Sequence, residues 1–405
     1  MLSRRAFLKN TAALAALSGL SRLPVLASAP KSTHIAVIGA GAFGGWTALH
    51  LLRQKARVTL VDAWGPGNAR ASSGGETRVI RATYGRNGVY TKMAVRALQL
   101  WQENEKRWNR KLYTRTGALW MIMGSEEFEK TSLPHLDEAG LPYEQISTKE
   151  AERRYPQMNF EGVNWVLIEK EAGFLLARQA CQVVHESFLA EGGEYKEASA
   201  LPGQIKNKRI AGIILSDGST LVADHYIFAC GPWLAQLFPD ALGSLIQPTR
   251  QEVFYFGTPA GDDRFSEQHL PVWIHHGSAL FYGIPGNQYR GLKVADDTHG
   301  TCFDPTAGER VVTTAGLRAA REILELRFPA MKGSPLLESR VCQYENSPDS
   351  NFIIDRHPEA ENVWLVGGGS GHGYKHGPAL GEYVADIVLG KKTADPFFML
   401  SRFSK

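Results

Sequence analysis

A chain of 405 residues with 43% hydrophobic and 21% charged residues has material for two or three domains and a large core. Its formal charge of +4 resides in the first 29 residues, which carry Arg4, Arg5, Lys9 and Arg22 and no acid; the neutral remainder gives no argument for nucleic acid or acidic partners. The four cysteines (Cys181, Cys230, Cys302, Cys342) form no C-x-x-C pair and no metal-ligand spacing, so neither a disulfide scaffold nor a metal site is expected.

The first residues combine the basic pair Arg4-Arg5, an apolar run from Thr11 to Leu20, and the small-x-small site Ala27-Ser28-Ala29 before Pro30. This pattern predicts a secretory signal peptide, and SRRAFLK resembles the twin-arginine export motif. The expectation is cleavage after Ala29, export of the folded protein by the twin-arginine translocation machinery, and a periplasmic destination. No later apolar run is long enough to span a membrane.

His34 to Asp62 organises the rest. An apolar strand (Ile35 to Ile38) meets Gly39, Gly41 and Gly44 in G-x-G-x-x-G spacing, a helical segment follows, and a second apolar strand (Val58 to Val61) ends in Asp62. This is a dinucleotide-binding unit. Gly39 allows the tight turn, Gly41 lets a pyrophosphate approach the backbone, and Gly44 lets helix and strand pack closely. The helix N-terminus offers free N–H groups to the phosphates. Asp62 is placed to accept a hydrogen bond from a ribose diol, which favours FAD or NAD over NADP.

Arg70 to Arg86 is a Ser-, Gly- and Arg-rich loop suited to an anionic cofactor or substrate, or to a solvated surface. Helices are expected over Tyr90–Arg107, Thr148–Tyr155, Leu176–Ala190 and Thr313–Arg327, and strands over Leu112–Met123. Tyr226–Trp233 reads as an apolar strand running into a glycine turn and helix. Gln247–Lys293 alternates like an antiparallel sheet rich in aromatics and predicts a separate substrate domain. Phe352–Asp355 and Val363–Gly369 read as strands, and the glycine turn after Gly369 opens another helix. The fold class is thus α/β (α+β overall), with a discontinuous Rossmann-like domain to which the C-terminal part returns.

Five segments, IAVIGAGAFG, SSGGETRVIRATYG, GLKV, VCQYENSPDSNFIID and GGGSGHGYKHGP, occur in the order and spacing of a known group. The chain resembles the monomeric sarcosine oxidase and N-methyltryptophan oxidase family over essentially its whole mature length. The resemblance implies an FAD-binding domain of the glutathione-reductase type over 30–112, 168–245 and 336–395. It implies a substrate domain on a mixed, largely antiparallel sheet over 113–167 and 246–335. It further implies FAD attached covalently through the Cys342 sulfur to the flavin 8-methyl group. Lys293 is the implied oxygen-activating cation, in register with Tyr282. Arg81 and Lys375 are the implied carboxylate clamp. Thr77, Arg78 and Tyr344 are implied near the flavin, with Ser370, Gly371, His372 and Gly373 running beneath it.

Two positions depart from that family. Gly74 and Asp297 stand where it often has histidines, and Glu76 is the acid of the arginine loop. An anion at Asp297, beside the substrate amine, favours a cationic or second-amine group over sarcosine itself. The activity expected is oxidation of a secondary or N-methyl amino acid, with hydride transfer to FAD, imine hydrolysis, and reoxidation by O₂ to hydrogen peroxide in a monomer. The alternatives are a dehydrogenase passing electrons to a quinone or carrier, and a flavin-bearing binding protein without turnover.

Overall fold

The computed structural model describes residues 32–404; the signal peptide expected over residues 1–29 lies outside them. Strand β1 (His34–Ile38), helix α1 (Ala42–Arg53) and strand β2 (Arg57–Asp62) follow one another as the glycine motif predicts. β1 lies between β2 and His225–Phe228, parallel to both, within a six-stranded sheet. Beyond His225–Phe228 come Ala360–Gly367 and, as an antiparallel edge, Ile353–His357. Glu194–Glu197 closes the other edge beside β2.

The central strand is apolar because both its faces are covered. Ile35 and Val37 join a core with Trp46, Leu49, Trp101 and Leu380, while Ala36 and Ile38 turn to the opposite core with Tyr226, Phe228 and Leu365. Helix Gly377–Val388 lies against α1 at very close range: a Cβ on Gly377 would come 2.7 Å from the Trp46 ring, and one on Gly381 2.6 Å from the Trp46 backbone. The C-terminal segment therefore does return to the N-terminal unit. The helix expected after Tyr226–Trp233 is only a short turn, Leu234–Leu237.

The second sheet has eight strands in the order Leu336–Asn346, Gln247–Phe256, Leu292–Asp296, Leu280–Ile284, Val272–His276, Ala118–Ile122, Trp165–Glu169 and Tyr143–Ile146. Every neighbouring pair is antiparallel except Val272–His276 with Ala118–Ile122. It is the mixed, largely antiparallel sheet expected. Helix Thr314–Arg327, capped by the Thr313 side chain, covers the face that carries Phe254, Phe256 and Trp273. The other face presents Val253, Tyr255, Tyr282 and Ala295, with Cys342 against them.

One strand serves both regions. The sequence reading groups 336–395 with the cofactor domain, yet Leu336–Asn346 hydrogen-bonds along Gln247–Phe256, with Gln251 opposite Cys342 and Thr249 opposite Tyr344. Its ladder belongs to the large sheet, while its Tyr344 and Glu345 line the cavity beside the six-stranded one. A three-stranded antiparallel sheet (Thr77–Ile80, Gly173–Leu176, Tyr113–Thr114) stands apart from both larger sheets and carries the arginine loop.

Candidate cofactor and substrate site

The glycine turn is built as its spacing implies. Gly39 has φ +106°, a left-handed conformation, and a Cβ there would meet the Ala229 carbonyl oxygen at 2.3 Å. A Cβ on Gly44 would fall 1.8 Å from the Gly39 carbonyl oxygen. Gly41 is the N-cap of α1. The Asp62 carboxylate accepts N–H bonds from Ala40 at 2.7 Å and Trp64 at 2.9 Å, so it braces the turn as well as lining the cavity. Burial raises its pKa, and those N–H groups work in the opposite direction. Ser73 Oγ, a group the sequence reading did not single out, accepts the Ala42 N–H at 3.0 Å and ties the arginine loop to the start of α1.

A cavity of about 340 Å³ runs from Asp62 and Trp64 past Gly39 and Gly41 to Arg78, Tyr344, Gly371 and Gly373. Its far end is made from side chains of distant segments. Arg78 donates to the carbonyls of Thr77 (2.9 Å) and Ser72 (2.7 Å) and to Cys342 Sγ (3.2 Å). Burial opposes its charge, but the surrounding Cys342, Tyr282, Tyr344 and Tyr255 outweigh that and raise its pKa. The Thr77 carbonyl also accepts from Lys293 Nζ at 3.0 Å. Lys293 is 1% exposed and lies 5.2 Å from the centre of the Tyr282 ring. Burial, then the Arg78 charge, pushes its pKa well below the usual lysine value. Lys293, Arg78, Thr77, Tyr282 and Cys342 are thus brought together.

The implied carboxylate clamp is brought together around Tyr84. The Arg81 guanidinium lies between the rings of Tyr84 (4.6 Å) and Trp120 (5.0 Å). Lys375 Nζ donates to Tyr84 Oη and to the His372 carbonyl, both at 2.8 Å. Burial and then Arg81 lower the Lys375 pKa well below its ordinary value. Glu169 secures the Arg81 strand by accepting from Ala82 N–H (2.7 Å), Thr83 Oγ1 (2.6 Å) and Trp120 Nε1 (2.9 Å). Tyr84, Trp120 and Glu169 escaped the sequence reading. Tyr84 alone left a signal, three residues after Arg81 in the same segment.

Asp297 Oδ1 accepts the Tyr344 hydroxyl at 2.5 Å. Burial raises the pKa of Asp297; the Tyr344 bond, Arg81 and Lys375 oppose that rise. The other departure has a steric basis, because a Cβ on Gly74 would lie 1.9 Å from the Asn68 carbonyl oxygen. Next to it, Glu76 pairs with Arg340 (2.9 Å), Arg178 (3.3 Å) and Arg290 (3.4 Å).

The turn after Gly369 divides its residues. Gly371 and Gly373 line the cavity, and a Cβ on Gly371 would meet the Tyr344 ring at 2.6 Å. Ser370 and His372 are not part of that lining. Ser370 Oγ accepts the Ser347 N–H at 3.1 Å, and His372 Nε2 lies 2.9 Å from the Ser350 carbonyl with its ring stacked on Phe352. Burial, then Lys375, lowers the His372 pKa to about 3, which keeps it neutral. Among the described residues no cluster of His, Cys, Asp or Glu could hold a metal ion.

The residues fit a dinucleotide with a reactive ring at one end. Glycines clear the floor, an acid closes one end, and Glu345 Oε2, in the lining, is buried with no partner among the described residues and can take one from a ligand.

Residues 34–387 match the protein-family model described as DAO, FAD dependent oxidoreductase. Among curated relatives, the monomeric sarcosine oxidase of Arthrobacter sp. (strain TE1826) is 29% identical over 375 residues, covering 90% of this chain and 95% of that protein. The N-methyl-L-tryptophan oxidase of Salmonella enteritidis PT4 is 27% identical, covering 91% and 98%. Among solved structures, L-proline dehydrogenase from P. horikoshii superposes with a TM-score of 0.79 at 21% identity, covering 93% of this chain and 98% of that one. Fructosamine oxidase (Amadoriase II) from Aspergillus fumigatus gives 0.79 at 20% identity, covering 93% and 91%. These two likenesses show the fold.

Proposed function

The chain belongs to the family of FAD dependent oxidoreductases, and from that premise we propose that it oxidises a secondary or N-methylated amino acid at its carbon–nitrogen bond, as an oxidase. The observation that carries this reading is the meeting of two cations from opposite ends of the chain, Arg81 and Lys375, on Tyr84. The relatives named as sarcosine and N-methyl-L-tryptophan oxidases support the same substrate class.

Arg81 and Lys375 hold the substrate carboxylate. Two of the three Lys375 ammonium hydrogens are engaged by Tyr84 and His372, which leaves one for the substrate. The amine has to lose its proton before the adjacent C–H can leave as hydride. Asp297, its pKa raised by burial, takes that proton at Oδ2 while the Tyr344 hydroxyl stays on Oδ1. FAD, when bound, accepts the hydride and returns its electrons to O₂ as hydrogen peroxide. Lys293 supplies positive charge for that oxygen step. The imine released hydrolyses in water.

Cys342 is the residue through which FAD is attached; Arg78 orients its sulfur. The protein acts as a monomer in the periplasm after twin-arginine export, a reading supported by the Arg4-Arg5 pair and the Ala27-Ser28-Ala29 site.

Anaerobic mixing of the purified holoprotein with N-methyl, cyclic and ordinary amino acids should bleach the flavin absorbance for one of them, and admission of air should restore it with one peroxide per turnover. No bleaching by any amino acid would sink the reading. Bleaching without peroxide, with recovery on adding a quinone, would instead make the protein a dehydrogenase. Cys342→Ser should leave flavin extractable after denaturation; flavin that stays attached would remove Cys342 from its role.

A further inference from the structure

Glu345 is a buried acid that lies within the segment VCQYENSPDSNFIID but has no role in the proposed chemistry. It follows Tyr344 on the strand Leu336–Asn346 and lines the cofactor cavity. Two turns bracket its carboxyl group, each leading off the carboxyl end of a parallel strand of the six-stranded sheet, where ligands of such folds bind. A Cβ on Gly231, after His225–Phe228, would lie 3.1 Å from Oε2, and one on Gly369, after Ala360–Gly367, 2.9 Å from Oε1. Oε1 accepts the Gly369 N–H at 3.2 Å. Oε2 is buried with no partner among the described residues.

The charges around the cavity make this acid conspicuous. Its lining holds three ionisable charges: Asp62, Glu345 and Arg78. Arg78 is already spent on Thr77, Ser72 and Cys342. FAD brings a diphosphate with two further negative charges. An ionised Glu345 would then share the cavity with a second acid and a dianion, with one N–H bond and no cation of its own. A neutral carboxyl group has the opposite character, because its O–H is a donor aimed where the cofactor has only acceptors and hydroxyls.

We propose that Glu345 binds FAD as a neutral carboxylic acid, its Oε2–H donating a hydrogen bond to an oxygen of the hydroxyl- and phosphate-bearing chain that joins the two ring systems. The protein alone already leans that way, since burial pushes the Glu345 pKa up to about 7 and only the Gly369 N–H opposes it. The titratable group facing it is Cys230 on the Ala229–Gly231 turn, which holds its proton through burial; Tyr344, the adjacent residue on the strand, gives its hydroxyl to Asp297 instead. Because the cofactor selects the protonated acid, it raises this pKa further. FAD affinity is therefore complete below the free-protein pKa and declines as pH rises through it.

The test uses the full chain carrying Cys342→Ser, so that FAD exchanges freely, titrated with FAD by the quenching of flavin fluorescence. The Kd should rise about tenfold per pH unit between roughly pH 7 and pH 9. Adding Glu345→Gln, whose amide donates at every pH, should flatten that dependence to within a few-fold, and Glu345→Leu should weaken binding below about pH 7 and lose the dependence too. Equal pH slopes with Glu and Gln, or unweakened binding with Leu, would overturn the proposal. Infrared spectra of the unmodified holoprotein guard against a variant that does not fold. A carbonyl band of a protonated carboxylic acid should persist at about pH 8, and its absence would equally overturn the proposal.

Discussion

The two ends of the cofactor cavity are made of different material. The end near Asp62 is a backbone construction: the Gly39 turn, the first amides of α1 and the end of β2, all drawn from one short segment. Its fit depends on atoms that are absent, since a Cβ at Gly39 or Gly44 collides with a carbonyl oxygen. The end near Cys342 is a side-chain construction. Arg78 lines it and meets Lys293 at the Thr77 carbonyl; with Arg81 and Lys375 these cations come from three separate segments, and protein carbonyls, Tyr84 and Cys342 hold them. Strong, buried cations held without counter-ions are costly to keep charged. They are correspondingly ready to bind an anion or to stabilise one as it forms. On the proposed reading, the backbone end binds the cofactor and the side-chain end carries the reaction.

Substitutions can break this division. The largest effect is expected at Lys293. Lys293→Met should slow reoxidation of the reduced holoprotein by O₂ about 1,000-fold, the scale of one preorganised charge, and leave substrate reduction within a few-fold. Stopped-flow measurement of the two half-reactions separates these outcomes, and equal slowing of both would show that Lys293 serves the site as a whole. At the backbone end, Gly44→Ala should destabilise the protein by about 3 kcal/mol through overpacking, measured by denaturant unfolding. Whatever protein remains folded should keep its substrate preference. A smaller, graded effect is expected at Lys375. Its folded pKa is depressed, so the charged form that binds a carboxylate is lost as pH rises through that depressed value. Affinity for a carboxylate inhibitor, followed by flavin absorbance, should fall about tenfold per pH unit above it. Lys375→Met should bind more weakly and without that dependence.

The same division governs what the sequence makes legible. Strand, glycines, helix and acid of the first unit lie within one readable window, and each is found where its spacing puts it. Amphipathic helices such as Thr314–Arg327 are legible for the same local reason. The reactive end is not local. Tyr84 meets His376 across 292 positions and Lys293 meets Thr77 across 216, so only the resemblance of whole segments could associate them. Residues that such a resemblance does not name, Glu169, Trp120 and Glu345, stayed invisible because their chemistry arises from burial beside a distant turn. Gly74 shows the converse: its missing side chain reads as a lost group, and the fold reveals a loop packed on Asn68 with no room for one.

The strand Leu336–Asn346 has a mechanical consequence. It is laddered along Gln247–Phe256 in the large sheet, while its Tyr344 and Glu345 wall the cofactor cavity beside the six-stranded sheet. It is a beam common to both halves. Parting the two halves would have to break the bonds that Glu345 accepts from the Gly369 and Ser370 N–H groups, so this strand ties the large sheet to the carboxyl end of the parallel one.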